Sequence, residues 1–332
     1  FTPWAMAGVR TDPAERLEAA LGIREGSPRR RMLIIVNPYA TTVSDRLKNL
    51  VVYALRGSYQ VEAIDTQQRG HATELAREAA RERYDVVVAF GGDGTLNEAA
   101  NGLAGSDTAL GCLPGGRTNV FCRILGIPHD VVDATEHLLQ LADHWAVRAV
   151  DLGTAGDRRF LFSAGVGLDA SVVEQVDAHP HLKARFGEWY YTAIALRTFN
   201  RRYLRNPPQL EARLGDEQLQ GVSAFVQNAA PYTFFGRRPI DVGEGATLDS
   251  HDLSGAVLRR ANPIDVPTLA WRALMGARVT RHHQIRAFSA AEKVLVRSRD
   301  DRALPLQVDG DYLGESPEVA FGVEPAALKV VA

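Results

Sequence analysis

Apolar positions fall into short strand-like runs separated by helical-period stretches up to about residue 150, and into shorter runs broken by Gly, Pro and Asp beyond it. Met32 to Val36, Val61 to Ile64, Asp85 to Phe90 and Ala109 to Leu113 read as strands. Asp45 to Leu55, His71 to Arg83 and Thr95 to Leu103 read as the helices between them. Buried strand runs alternating with helices predict a parallel sheet covered on both faces. After Asp151 the pattern changes to β-type segments at Phe160 to Phe162, Leu210 to Leu214, Val222 to Gln227, Ala256 to Arg259 and Lys293 to Val296, with helices near Leu182 to Leu204 and Val266 to Met275. That texture predicts a largely antiparallel second unit. The expected layout is an arm over residues 1–28, a Rossmann-like α/β domain over 29–149 and a β-rich sandwich domain over 150–332. The C-terminal end is expected to return to the first domain and the active site to lie in the cleft between the two. Asp12 and Pro13 open a short helix in the arm, and Gly22, Gly26 and Pro28 end it.

Length supports two cores, since 332 residues exceed what one core normally fills. Charge narrows the partners: 38 basic against 40 acidic residues leave a formal net charge of −2, so no global field attracts nucleic acid. Cys112 and Cys122 are the two cysteines; a disulfide between them is compatible with the sequence, no disulfide framework is visible, and a reducing cytoplasm fits best. No stretch approaches the roughly 20 apolar residues that span a bilayer.

The candidate chemistry centres on two glycine turns. Gly91-Gly92-Asp93-Gly94-Thr95-Leu96-Asn97-Glu98 follows the run Val86-Val87-Val88 and opens a helix, where free backbone N–H groups favour phosphate. It is neither the dinucleotide fingerprint, because Asn97 stands at the third glycine position, nor a Walker loop, because no Gly-Lys-Ser or Gly-Lys-Thr occurs. A single such turn is as readily a structural corner. However, Pro114-Gly115-Gly116-Arg117-Thr118-Asn119 follows the next strand and again runs into a helix. Two such turns on the carboxyl edge of one sheet suggest a polyphosphate ligand.

Together with Asn37-Pro38 after the first strand and Thr66 ahead of Gly70-His71-Ala72, these turns resemble the nucleotide-binding signatures of the diacylglycerol kinase catalytic family, a fold shared with sphingosine kinases and more distantly with NAD kinases. The resemblance implies an ATP-dependent, magnesium-using lipid kinase that makes peripheral contact with a membrane and is often a homodimer. It implies nucleotide binding in the first domain by Asn37, Thr66, Gly91, Gly92, Gly94, Thr95, Gly115, Gly116, Thr118 and Asn119, and lipid binding in the second. The chain departs from the family at Val120, where an Asp contributes to a magnesium and water network, and at Arg117, where Thr or Ser is common.

Acid groups follow from the same resemblance. Val150-Asp151-Leu152-Gly153 and Val308-Asp309-Gly310-Asp311 match two family signatures, with Asp311 in place of the usual Glu base. The implied catalytic set is Asp311 as base, Asp151 assisting and Asp93 in the first turn; an Asp beside Gly is otherwise a turn cap. Asp169, in Ser163-Ala164-Gly165-Val166-Gly167-Leu168-Asp169, aligns with an acid that contacts the lipid head in sphingosine-recognising relatives, and equally suits a helix cap. Asp249 and Asp252 resemble an Asp-rich turn of the family that holds a structural magnesium, and equally suit a solvated turn. The mixture Trp189-Tyr190-Tyr191, Arg197, Phe199, Arg201-Arg202-Tyr203 and Arg205 suits an anionic interface, or a core face with solvated arginines. His179, His181, His282 and His283 are scattered and without carboxylate partners at ligand spacing, so no zinc is expected. The preferred reading is transfer of phosphate from ATP to diacylglycerol. The alternatives are an NAD kinase and a non-catalytic nucleotide or lipid sensor of the same fold.

Overall fold

The computed structural model describes residues 29–179, 188–204, 207–263, 265–275 and 277–332. The expected arm and the first turns of the helix expected from Leu182 lie outside these residues.

In the first half, four parallel strands stand in the order Gln60–Asp65, Arg31–Val36, Val86–Gly91 and Ala109–Pro114. Val86–Gly91 and Ala109–Pro114 are buried at every position, as strands covered on both faces must be. Gln60–Asp65 forms the edge and has no fully buried residue. The covering helices are Asp45–Leu55, His71–Arg81, Asp93–Leu103 and Val131–Asp143. Ser44 and Asp130 cap the first and last of them, accepting from Leu47 N at 3.3 Å and Val132 N at 2.8 Å. The strands and helices expected in this half are all present, and the parallel pattern of the sequence is the observed topology.

The second half holds a six-stranded antiparallel sheet in the order Ile285–Ala291, Leu253–Leu258, Ser223–Gln227, Ser163–Val166, Leu304–Val308 and Asp311–Ser316. One face packs on strands Leu210–Leu214, Lys293–Ser298 and Glu318–Val330, with Val226, Val257 and Phe288 meeting Val294, Val296 and Phe321 in one apolar core. Phe160 and Phe321 close that core edge to face, with ring centroids 6.5 Å apart. This is the sandwich expected from the sequence, but it is not a separate sheet system. Glu318–Val330 pairs antiparallel with Lys293–Ser298 and Arg148–Ala155, breaks register between Glu324 and Leu328, and ends parallel to Ala109–Pro114 with Val330 opposite Leu110. A single ten-stranded sheet therefore runs from the nucleotide half into the sandwich.

Leu304–Val308 and Asp311–Ser316 form a hairpin whose two-residue corner is Asp309-Gly310, both with positive φ (47° and 83°). Asp-Gly is the sequence that such a corner favours, because its twist matches the strands. Cys112 and Cys122 are free and buried. No helix among the described residues is long and apolar enough to cross a membrane.

Candidate active site

The two glycine turns are stitched together at the carboxyl edge of the parallel sheet. Gly115 N donates to Gly91 O at 2.8 Å, and Thr42 N donates to Gly115 O at 3.1 Å. A Cβ on Gly115 would stand 2.9 Å from Gly91 Cα, and one on Gly116 the same distance from Gly92 Cα. Backbone meets backbone here, so side chains are excluded at these positions. Gly92 precedes the Asp93–Leu103 helix without any side-chain cap, which leaves first-turn amides available to an anion.

Each neighbouring side chain holds part of this cradle. Asn119 sits in the left-handed region (φ 47°) and closes its own turn, accepting from Gly116 N at 2.9 Å and donating to Gly116 O at 2.8 Å. Asp93 accepts from Val120 N at 3.0 Å and Phe121 N at 3.1 Å, so the acid of the first turn caps the helix after the second. Burial pushes Asp93 up to about 6, the two amides restrain it, and the nearby Asp311 charge adds to the rise. Val120, which replaces the family's Asp, thus serves through its amide. Asn37 Nδ2 donates to Thr95 Oγ1 at 3.1 Å, and Thr66 N to Val36 O at 2.7 Å, which sets both residues at the same sheet edge.

The helix that follows the first turn ties the halves together. Asn97 Nδ2 donates to Asp309 Oδ2 at 2.7 Å and to Arg159 O at 3.0 Å, while Arg158 donates to Asn97 Oδ1 at 2.6 Å. Asp309 also accepts from the amides of Leu161, Phe162 and Ser163 at 2.6, 3.0 and 3.0 Å. Only 5% exposed, Asp309 is pushed up to about 6 by burial and restrained by these donors. Glu98, the last residue of the first turn motif, accepts from Gly70 N at 2.8 Å and Ala72 N at 3.2 Å, capping the His71–Arg81 helix.

With its partner fixed in this way, the hairpin corner delivers Asp311 onto the first turn. A Cβ on Gly94 would stand 3.1 Å from Asp311 Oδ2, and Arg69 reaches the same oxygen at 3.6 Å. Unlike Asp309, the Asp311 side chain keeps 28% exposure. An accessible carboxylate beside two anion-binding turns is a suitable base for phosphate transfer.

Residues 31–155 match the family model described as the diacylglycerol kinase catalytic domain. A diacylglycerol kinase of Bacillus subtilis (strain 168) is 28% identical over 295 residues, covering 87% of this chain and 92% of that protein. One from Staphylococcus aureus (strain MRSA252) is 29% identical over 307 residues, covering 89% and 90%. A crystal structure of a diacylglycerol kinase from Bacillus anthracis str. Sterne superposes with a TM-score of 0.67 at 19% identity, covering 92% of this chain and 98% of that one. Residues 31–155 thus carry a diacylglycerol kinase catalytic domain, and most of the chain is similar to diacylglycerol kinases. It is a lipid kinase.

Elsewhere in this kinase, the expected residues have varied settings. Asp169 Oδ2 accepts from Tyr232 Oη at 2.5 Å and Gln307 Nε2 at 2.7 Å. Burial raises Asp169, and these two donors restrain it. Gln307 Oε1 accepts from Gly310 N at 2.9 Å, so one side chain connects Asp169 to the Asp311 corner. Asp151 departs from the expected catalytic role. Only 1% exposed, its carboxylate accepts from His251 N at 2.7 Å and Ala326 N at 2.8 Å and contacts His251 Nδ1 at 2.9 Å. These contacts make it a buried clamp between the Arg148–Ala155 strand, the turn at His251 and the register break of the last strand.

The Asp249 and Asp252 turn also differs from a magnesium site. Asp249 accepts from Thr247 Oγ1 at 2.8 Å and pairs with Arg148 at 3.4 Å, so a guanidinium supplies the positive charge there. The histidines require a correction, because Asp265, His282 and His283 do converge. His282 Nδ1 accepts from Gln284 N at 3.2 Å and its Nε2 meets Thr268 Oγ1 at 3.0 Å, while Arg272 and Arg281 line the same recess. Both ring nitrogens are engaged and the surroundings are cationic, which disfavours a metal ion.

On the Glu188–Thr198 helix and the turn after it, Phe199 and Tyr203 are core and Arg202 pairs with Glu174 at 2.8 Å, so this segment presents less to an interface than its composition suggests. The side chains of Trp189 and Tyr191, together with His181 and Arg205, lie outside the described residues. A groove of about 900 Å³ is lined by Arg81, Tyr84, Asp107, Trp145 and Lys329 and by no residue of either glycine turn. Asn97, Glu98 and Asp309 stand in the glycine-turn and Asp-Gly-Asp motifs, yet their partners are set by the fold alone. Arg69, Tyr232 and Gln307 stand in no motif, and only the fold brings them to the site.

Proposed function

We propose that the kinase transfers the γ-phosphate of ATP to the hydroxyl of a diacylglycerol, giving phosphatidic acid, in the cleft where the hairpin corner meets the glycine turns. The observation that carries this reading is the Asp311 carboxylate standing against Gly94. The stitched turns and the uncapped helix start suit the phosphates. Asp311 takes the proton of the lipid hydroxyl as its oxygen attacks the terminal phosphorus and the bond to the bridging oxygen of ADP breaks. Arg69 adds positive charge at the same point. Mg2+ takes few protein ligands when it sits on nucleotide phosphates, and Asp311 with the remaining lone pairs of Asp93 fits that demand. Bound there, the ion would neutralise charge on the phosphates. On the second half, Asp169 with Tyr232 and Gln307 offers the polar groups for the lipid head.

Incubating the purified chain with labelled ATP and magnesium, and with dispersed diacylglycerol, a sphingoid base, phosphatidylglycerol or NAD as acceptor, tests the proposal. Labelled phosphatidic acid is expected. Label on NAD alone would replace the reading by that of a nucleotide kinase, and tight ATP binding without label on any acceptor would replace it by that of a sensor.

A further inference from the structure

The outer face of the six-stranded sheet carries a surface that the phosphate chemistry leaves unused. Between residues 259 and 286 the chain has six arginines (Arg259, Arg260, Arg272, Arg278, Arg281 and Arg286) against one acid, Asp265, in a protein whose formal net charge is −2. Among the described residues, none of the six forms an ion pair. Asp265 is held instead by Asn262, Gln284 and His283. Five of the arginines are exposed and Arg272 is half-buried.

The same segment exposes apolar surface. Trp271 is 65% and Met275 54% exposed, and Met275 N donates to Trp271 O at 2.9 Å, so the two stand one turn apart on the same side of the Asp265–Leu274 helix. The opposite side of that helix is anchored, with Leu269 packing on the cluster of Val222, Ala256, Leu258, Val279 and Ile285. Leu168 and Phe225 pack on that cluster too, and Phe225 meets Tyr232 edge to face at 5.7 Å. Tyr232 is the partner of Asp169. The helix is therefore linked, through this cluster, to the group of residues assigned to the lipid head.

From this arrangement we infer that the Asp265–Leu274 helix and the arginines around it form the surface by which the kinase docks on an anionic lipid bilayer, with Trp271 and Met275 entering the interface and the arginines meeting headgroup phosphates. Charge complementarity selects the occupant: unpaired guanidinium groups draw anionic headgroups, and an indole beside a thioether suits the boundary of headgroups and acyl chains. A nucleic acid would answer the charge but would leave the apolar pair exposed. The inference rests on the lipid-kinase reading only for its purpose, since docking needs no turnover.

Flotation of the full chain with phosphatidylcholine vesicles, with and without phosphatidylglycerol, is the test. Binding is expected only with the anionic vesicles and should weaken as salt is added. The double variant Arg278→Gln/Arg281→Gln should bind about thirty-fold more weakly, at roughly a factor of five per arginine. Trp271→Ala should also weaken binding, whereas Arg197→Gln/Arg201→Gln, on the Glu188–Thr198 helix and the turn after it, should bind as the parent does. A second double variant, Arg260→Gln/Arg286→Gln, should repeat the loss and guards against a folding defect in the first. The inference is overturned if the parent does not float, if the Arg278 and Arg281 variant floats like the parent, if the Arg197 and Arg201 variant loses binding equally, or if the chain binds duplex DNA without floating. Docking without phosphate transfer would overturn the kinase reading and leave this surface standing. Transfer to a water-soluble short-chain diacylglycerol that survives in a variant unable to float would support both.

Discussion

Asp309 and Asp311 stand two residues apart on one hairpin and have opposite surroundings. Asp309 is buried, accepts from three amides and Asn97, and joins the two halves of the molecule. Asp311 has escaped that burial, and its carboxylate faces Gly94 and Arg69. The corner residue Gly310 separates them, and the reversal of the chain sends one side chain inward and the other across the cleft. A carboxylate that must take a proton and one that must hold a junction can thus be specified by four consecutive residues, Val308 to Asp311, provided that the turn between them is tight. Acidity alone does not distinguish them; burial does.

The sharpest way to break this comparison is to remove the accessible acid. Asp311→Asn should lower turnover by about 10²- to 10⁴-fold while nucleotide binding, followed by titration calorimetry, stays within a small factor of the parent. Near-normal turnover would remove Asp311 from the role of base. Removing the buried acid should produce the converse. Asp309→Ala leaves three amides and a carboxamide unanswered, at a cost of about 3 kcal/mol or more in stability by denaturant melts. Loss of activity without loss of stability would contradict its assignment as a junction.

The pH dependence of stability sharpens the same contrast. Asp309 and Asp93 are both raised from 3.8 to about 6 in the folded protein, so the folded state binds their protons more tightly than the unfolded chain does. Their contribution to stability is fully present below pH 3.8 and is lost as pH rises through about 6. Relative to Asp309→Asn, which cannot ionise, the parent should lose stability across that interval when the two are melted in parallel. A constant difference across the interval would show that Asp309 does not titrate there. The smallest expected effect is at the lipid-head group. Tyr232→Phe deletes the hydroxyl that donates to Asp169 and should raise KM for the lipid about five- to ten-fold with KM for ATP unchanged, as the loss of one ordinary hydrogen bond predicts. Equal shifts in both constants would indicate a general folding defect.

These outcomes also explain what could be read from the chain before the fold was known. The nucleotide side was legible because its ligands are backbone groups: turns such as Gly91 to Gly94 and Gly115-Gly116 must be glycine where two backbones touch, so the chemistry is written as a local pattern. The parallel sheet was legible for a related reason, since strands like Val86–Gly91, buried on both faces, have apolar residues throughout. The second half is different. Asp169, Tyr232 and Gln307 come from three segments spread over about 140 positions, and no short motif links them. Asp151 shows the reverse error: its Asp-Leu-Gly context suggested chemistry, but the folded chain surrounds it with donors from His251 and Ala326. Asp309 was hidden by its more conspicuous neighbour, although its Asp-Gly dipeptide is the strongest short signal for a hairpin corner. A return of the C-terminal end to the first domain was expected, but the single shared sheet was not, because nothing in residues 318–330 announces that one strand serves two partners in succession.

That strand has a consequence for how the molecule comes into being. It follows every other described strand in chain order, yet it supplies the neighbour of Ala109–Pro114 and a wall of the sandwich core. On the ribosome the nucleotide half must therefore wait, with one flank of its sheet bare, until the sandwich has been translated. The two halves mature together, and an exposed apolar edge on the nascent chain is what chaperones would meet in the interval.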